Sequence, residues 1–294
     1  MLKLLGMTAA AVATGGVTAV LESCTASKRR KRLVFYFTGT GNSLHVAKQL
    51  SERPISIPQV IHDKNLTFRA DEIGIVFPKY GLLPQMVRDF IQKAKFDCRY
   101  LFAVITYGHD LNARDAEILS QAITEAGHTT RLTYFNGVKM ADNRLQWLDM
   151  AQQLKENDDK RIDTAIAEIA QDIDAQRQHI ARPAESSPAT RRHNERTGAH
   201  HIVTADQMFE ISEACIGCGI CVQVCPRGDY RIEQDFAVAQ GLCEQCLACA
   251  QNCPQMAIAP VEGDVNPKAR YRNPNISLRE LERANAQHPI ASPL

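Results

Sequence analysis

Net charge is almost absent from this sequence: 34 lysines and arginines stand against 33 aspartates and glutamates, leaving +1 over 294 residues. The basic side chains are spread rather than gathered on one stretch, so nothing invites nucleic acid, and no nucleic-acid partner is expected. The one dense run of like charge is Lys28-Arg29-Arg30-Lys31-Arg32. A strongly hydrophobic segment is lacking too. Leu4 to Leu21 is uncharged, but it is rich in Ala, Gly and Thr, borderline in length for a bilayer span and weak in hydrophobicity. No acid or base residue occupies a position that demands a catalytic role. His45 and His109 read as solvated side chains, so an oxidoreductase activity stays open with no substrate assigned.

Three readings of residues 1–30 stand side by side. The phrase LKLLGMTAAAVATGG resembles the tail of a twin-arginine signal whose arginine pair would lie upstream. A Sec signal would need a more basic start, and Leu21-Glu22-Ser23-Cys24 is a poor lipoprotein box because of Glu22. As an uncleaved anchor, the segment would be followed by five basic residues that hold the next domain on the cytoplasmic side. The third reading is a disordered apolar leader. A membrane-associated or exported protein is expected from the first two, a cytoplasmic one from the third.

Ten cysteines are present, yet a chain of this length and aliphatic content does not need disulfide staples, and eight of the ten fall in two runs. Cys24 and Cys98 stand alone, and Cys98 reads as a small buried apolar residue. The runs are CIGCGICVQVCP (Cys215–Pro226) and CEQCLACAQNCP (Cys243–Pro254), each of the form C-x2-C-x2-C-x3-C-P. Zinc prefers paired C-x2-C knuckles and has no use for a third close thiolate. Three thiolates at two-residue spacing wrap one corner of a 4Fe-4S cubane, and the fourth of each run serves the other cluster. That predicts Cys215, Cys218, Cys221 and Cys253 on one cluster, and Cys243, Cys246, Cys249 and Cys225 on the second. Gly217, Gly219 and Ala248 are small neighbours that let backbone amides approach the sulfides. Over Glu210–Pro260 the chain resembles a bacterial two-cluster ferredoxin.

Upstream, LVFYFTGTGNSLHVAKQL passes from an apolar run to a Gly/Thr/Ser turn and then to helical spacing, which reads as strand, loop, helix. The loop Phe37–Ser43 lacks the Gly-Lys-Ser/Thr of a P-loop and the third glycine of GxGxxG. What Thr38, Gly39, Thr40, Gly41, Asn42 and Ser43 offer is hydroxyls and amides at a helix N-terminus, a cradle for a terminal phosphate such as that of FMN. Val34, Phe35, Tyr36, Thr38, Gly41, Ser43 and Ala47 together resemble the flavodoxin signature, with Ser43 where flavodoxins usually carry Thr. The resemblance implies two later contact loops, Pro78-Lys79-Tyr80-Gly81 and Thr106-Tyr107-Gly108-His109. There Tyr80 or Tyr107 would stack on the isoalloxazine ring, and Gly81 or Gly108 would let the backbone meet its edge. Ordinary βα turns are the other reading of these loops.

Strand candidates Leu33–Phe37, Ile55–Val60, Ile73–Phe77, Leu101–Thr106 and Thr130–Phe135 alternate with helices starting at Ser43, Pro84 and Ala113. A further helix, about 159–180, carries Ile162, Ile166, Ile169 and Ile173 on one stripe. The expected fold is α/β, a flavodoxin-like doubly wound parallel sheet with a small α+β two-cluster ferredoxin-like domain. The expected boundaries are leader 1–30, FMN-binding domain 31–181, linker 182–208, ferredoxin domain 209–262 and tail 263–294, whose Ser277-Leu278-Arg279-Glu280 has capping-box spacing. The linker is expected to leave the two domains as separate folding units. As a whole the chain resembles the flavodoxin-ferredoxin fusion proteins of anaerobic bacteria. That resemblance implies electron transfer between two 4Fe-4S clusters and a bound FMN, with redox proteins as partners. The alternative is an iron-sulfur subunit or redox sensor whose flavodoxin-like domain no longer binds flavin.

Overall fold

The computed structural model describes residues 30–80, 83–157, 160–181 and 203–287. Most of the leader, Gly81 and most of the linker lie outside them. In the first half, β1 (Arg32–Tyr36), α1 (Asn42–Leu50), β2 (Ile55–Ser56), α2 (Ile57–Val60), β3 (Thr67–Arg69), β4 (Glu72–Pro78), α3 (Gln85–Lys93) and β5 (Lys95–Asp97) follow in order. They are succeeded by β6 (Tyr100–Tyr107), α4 (Ala113–Glu125), β7 (Leu132–Lys139), α5 (Met150–Glu156), α6 (Ile162–Asp174) and β8 (His179–Ile180). Six strands form one parallel sheet in the order β2-β1-β4-β6-β7-β8. With the small parallel pair β3 and β5 set aside, the order is consistent with a flavodoxin-like doubly wound sheet. All seven residues of β4 are buried, as are the first seven of β6, because helices cover both faces of a parallel sheet.

Ile55–Val60 does not run on as a strand. It pairs for two residues and then turns into α2, because Pro58 has no N–H for a ladder but fits the first turn of a helix. The expected helix at about 159–180 is shorter, Ile162–Asp174, and the chain then forms the edge strand β8. Its apolar stripe does what the spacing predicts, with Ile166, Ile169 and Ile173 buried. At the N-terminal end of the sheet, fully buried Glu72 is paired with Arg30 at 2.7 Å and Arg32 at 2.6 Å, so two residues of the basic run are engaged in the fold. His45 is buried on α1, not solvated, and its Nε2 lies 3.7 Å from Asp163 of α6. Desolvation keeps its pKa below the usual histidine range. His109 is exposed, as expected, and Cys98 is half-buried.

Beyond residue 203, Phe209–Ile211 pairs antiparallel with Ile258–Pro260, and Tyr230–Glu233 forms a hairpin with Phe236–Ala239 across Gln234 and Asp235, both at positive φ. Two short helices, Ile220–Val224 and Ala248–Asn252, each follow a left-handed residue, Gly219 or Leu247. A last helix, Leu278–Asn285, starts with the Ser277/Glu280 capping box that the spacing predicts.

The two halves share buried contacts. Val224, Cys246, Ala248, Ile276, Leu281 and Ala284 belong to the same buried cluster as the parallel sheet. Ala141, Leu145 and Met150 in turn pack among the cysteines. The last helix fastens the halves: Glu280 meets Lys48 of α1 at 2.6 Å, the Ser56 hydroxyl donates to the Ala284 carbonyl, and Asn285 donates to the Val224 carbonyl at 2.8 Å. Among the described residues, the apolar faces on the two sides cover each other. Truncating fully buried Leu281 to Ala should therefore cost about 2–5 kcal/mol. Anaerobic denaturant unfolding should show the far-ultraviolet and cysteine-unit signals moving together to lower midpoint. Two separated transitions in the wild type would contradict the shared core.

Candidate metal centres and the loop beside them

Among the described residues no group of three or more His, Cys, Asp or Glu side chains stands ready to hold a metal ion, yet the cysteines of the two runs lie near one another across the runs. The Cys221 thiol feels the charges of Cys218, Cys215 and Cys253, and these four line one pocket with Ile216, Ile220, Ile232 and Ile258. Cys246 feels Cys225, Cys243 and Cys249, and Cys249 feels Cys243 and Cys225. Each run closes its loop in the same backbone shape. Left-handed residues stand two and four positions after the first cysteine, Gly217 and Gly219 in one run, Gln245 and Leu247 in the other. The non-glycine pair holds a conformation that costs about 1–2 kcal/mol per residue, a sign that the surroundings dictate the loop.

The first set is the outer one, with Cys218 exposed, Cys215 and Cys253 half-buried and Cys221 buried. All four cysteines of the second, inner set are buried. Loss of water pushes Cys221 and Cys225 up to about 11 and Cys243 up to about 12, with Cys246 and Cys249 well above the ordinary thiol range. Bare thiolates are thus unfavourable here, and a cationic iron centre bonded to them offsets that cost, so the soft donor set fits iron-sulfur ligation. Backbone amides already point at sulfur: Ala237 to Cys215 at 3.4 Å and Ala257 to Cys253 at 3.3 Å in the outer set, Asp229 to Cys225 at 3.3 Å and Gln245 to Cys243 at 3.2 Å in the inner.

The loop after β1 is closed. Thr38, Thr40 and Ser43 are 1, 2 and 0 % exposed. Thr38 Oγ1 accepts from the Gly41 amide at 3.0 Å, and Ser43 Oγ lies 2.8 Å from Thr106 Oγ1. Asn42 donates to the Ala141 carbonyl at 3.1 Å and accepts from the Tyr271 hydroxyl at 2.6 Å and from Asn273 Nδ2 at 3.0 Å. The Thr40 carbonyl accepts from the Asn273 amide at 2.9 Å, and Thr40 Oγ1 accepts from Asn143 Nδ2 at 3.2 Å. Glycine is required twice: Gly41 has φ +98°, and a Cβ on Gly39 would stand 2.4 Å from the Cys246 carbonyl and 2.3 Å from Tyr80 Oη. Tyr80 is buried, its hydroxyl 3.4 Å from that same carbonyl. Tyr107 is half-buried beside Gly137, whose Cβ would lie 2.9 Å from the ring, and Gly108 is backed by Asp142. The structure thus brings Thr38, Gly39, Thr40, Asn42 and Tyr80 together around the inner cysteine set and the tail. Gly81 lies outside the described residues.

Residues 209–229 match the family model of the 4Fe-4S binding domain. A 68-residue stretch, 21% of this chain, is 38% identical to an uncharacterized ferredoxin of Methanocaldococcus jannaschii and covers 86% of it. The chain belongs to the ferredoxin family. An iron-sulfur protein of Rhodospirillum rubrum is 34% identical over 97 residues, 26% of this ferredoxin and 47% of that protein, so the match spans about half of that relative's length. No solved structure matches the chain. Both relatives and the matched domain support iron-sulfur electron transfer.

Several residues at this meeting point carry no signal in the sequence: Asn143, Tyr271, Asn273, Arg227 and Glu244. Glu244 is the most telling. It sits directly after Cys243, is 2 % exposed, and accepts from the Met86 amide at 3.0 Å in the first turn of α3, where Pro84 at the cap position supplies no side-chain acceptor. Its other oxygen accepts from Arg227 at 2.8 Å, and Arg227 reaches Asp89 of α3 at 3.3 Å. The sequence on both sides of the inner cysteines thus clasps α3. Crossed ligation of the two runs has a direct check. If the two runs ligate two 4Fe-4S clusters crosswise, Cys225→Ala should lower the iron content of the reconstituted protein from about eight to about four per chain, with the loss from the set of Cys243, Cys246 and Cys249. Loss from the set of Cys215, Cys218 and Cys221 would contradict the grouping.

Proposed function

We propose that this chain is an electron-transfer protein with two 4Fe-4S clusters, one held by Cys215, Cys218, Cys221 and Cys253, the other by Cys225, Cys243, Cys246 and Cys249. The flavodoxin-like half is the seat of the inner cysteine set, not a flavin site. When bound, the clusters supply one-electron transfer. The chain's own residues divide the labour. The outer set, with Cys218 at the surface, faces redox partner proteins, while the buried inner set is kept from water by the sheet half and the tail.

One observation carries this reading: the hydroxyls that would cradle a phosphate, those of Thr38, Thr40 and Ser43, are buried under other parts of the chain. A phosphate needs open amides and hydroxyls at the helix N-terminus. Here Thr38 Oγ1 accepts from the Gly41 amide, Ser43 Oγ pairs with Thr106 Oγ1, Thr40 Oγ1 accepts from Asn143 Nδ2, and the Cys246 carbonyl closes on Gly39. The aromatic best placed for stacking, Tyr80, is packed under the cysteine unit. FMN does not fit this arrangement unless the Cys246 turn and the Tyr271–Ile276 segment first withdraw. The resemblance of the loop to the flavodoxin signature supports descent from a flavin site, with the flavin's place now taken by the chain itself.

Anaerobic reconstitution with iron, sulfide and excess FMN, followed by desalting, tests the proposal. The protein should retain about eight irons per chain and no flavin. One tightly held FMN per chain would overturn the seat reading and restore a flavin to the electron path.

A further inference from the structure

We infer that Tyr80 and Asn143 are positioning residues for the inner cysteine set, donating across the interface to the Cys246 carbonyl and so making reduction of the inner centre easier than its burial alone would allow. The inference rests on the two-cluster reading proposed above.

Two side chains from the sheet half converge on this one carbonyl. The Tyr80 hydroxyl lies 3.4 Å from it and Asn143 Nδ2 lies 3.3 Å from it. Both donors are buried, as is Cys246, so water cannot replace either of them. They are also fixed from behind. The Asn143 carbonyl accepts from Gln251 Nε2 at 2.7 Å, and Gln251 Oε1 accepts from the Tyr271 amide at 2.6 Å. Tyr80 is held edge-on to Phe37, with ring centroids 6.4 Å apart. Gly39 leaves the space in which carbonyl and hydroxyl meet.

The electrostatic sign follows from the direction of donation. An N–H and an O–H aimed at a ligand's peptide place the positive ends of their dipoles next to a centre that gains negative charge on reduction. In a water-free site such dipoles are weakly screened, and second-layer hydrogen bonds of this kind tune the potential of a metal centre. Burial acts the other way, disfavouring the extra charge. The donors to the outer set are amides of its own unit, Ala237 and Ala257, so the sheet half should influence the inner set and leave the outer one alone. The docking itself is held elsewhere, by Leu281 and by the Arg227–Glu244 pair, so removing one hydroxyl does not release the interface.

The test is an anaerobic redox titration of the full chain followed by electron paramagnetic resonance, on wild type, Tyr80→Phe and Asn143→Leu. A dysprosium chelate in solution broadens the signal of the exposed outer centre and so tells the two apart. The inner midpoint potential should move to more negative values in each variant and further in the double variant. The outer midpoint should stay where it is, with iron content unchanged. Tyr80→Phe decides the matter, since it keeps the ring packed. An unmoved inner midpoint at full iron content would overturn the inference, and so would equal shifts of both centres. A wild type that holds only one cluster would instead sink the two-cluster reading beneath it.

Discussion

A buried polar loop has to be matched atom by atom, because each unsatisfied amide or hydroxyl costs about 1–3 kcal/mol. In this chain the match for Thr38–Ser43 comes from the other half of the same polypeptide. Asn143 Nδ2 donates to Thr40 Oγ1, the Asn273 amide to the Thr40 carbonyl and the Tyr271 hydroxyl to Asn42 Oδ1, donors that water would supply on a bare loop. The rest of the architecture depends on this contact. It places the inner cysteine set at the carboxyl ends of the parallel strands, where open α/β sheets hold their ligands. It also draws the final helix across both halves and joins their apolar faces into one core.

The contact makes the two cysteine sets unequal although their sequences are near copies. Both use the same left-handed positions and each receives amides from its own unit. What differs is what lies outside them. The outer set has Cys218 at the surface beside Ile216, 58 % exposed, so a partner can come close. The inner set has α3, clasped by Glu244 and Arg227, and the loop after β1. Solvent exposure and hydrogen bonding are the levers by which a protein separates the properties of identical clusters, and both are set here by the docked half.

The parts legible in the sequence are those whose signals are local. The first C-x2-C-x2-C-x3-C-P run lies within the stretch that matches the 4Fe-4S binding domain, and its signal is complete in its spacing. The strand-loop-helix at Leu33–Leu50 and the Ser277/Glu280 capping box are likewise complete within a few residues. Pro58 was a local signal too, and it marks where the run from Ile55 stops being a strand. The side chains that partner the loop are not legible. Asn143 lies 103 positions from Thr40, and Tyr271 lies 229 positions from Asn42, and neither belongs to a motif. A Thr-Gly-Thr-Gly-Asn-Ser loop looks the same in sequence whether its partner is a phosphate or a peptide carbonyl. The burial of His45 is hidden in the sequence for the same reason: its imidazole faces Asp163 of α6, far away in the chain.

Hydrogen exchange at the amides of residues 38–43 tests most directly whether this loop is a seat for the inner cysteine unit. Exchange should be slow in the iron-loaded protein, should quicken when the iron is chelated away, and should be indifferent to added FMN. A loop whose exchange ignores the iron and is slowed by FMN would contradict the account.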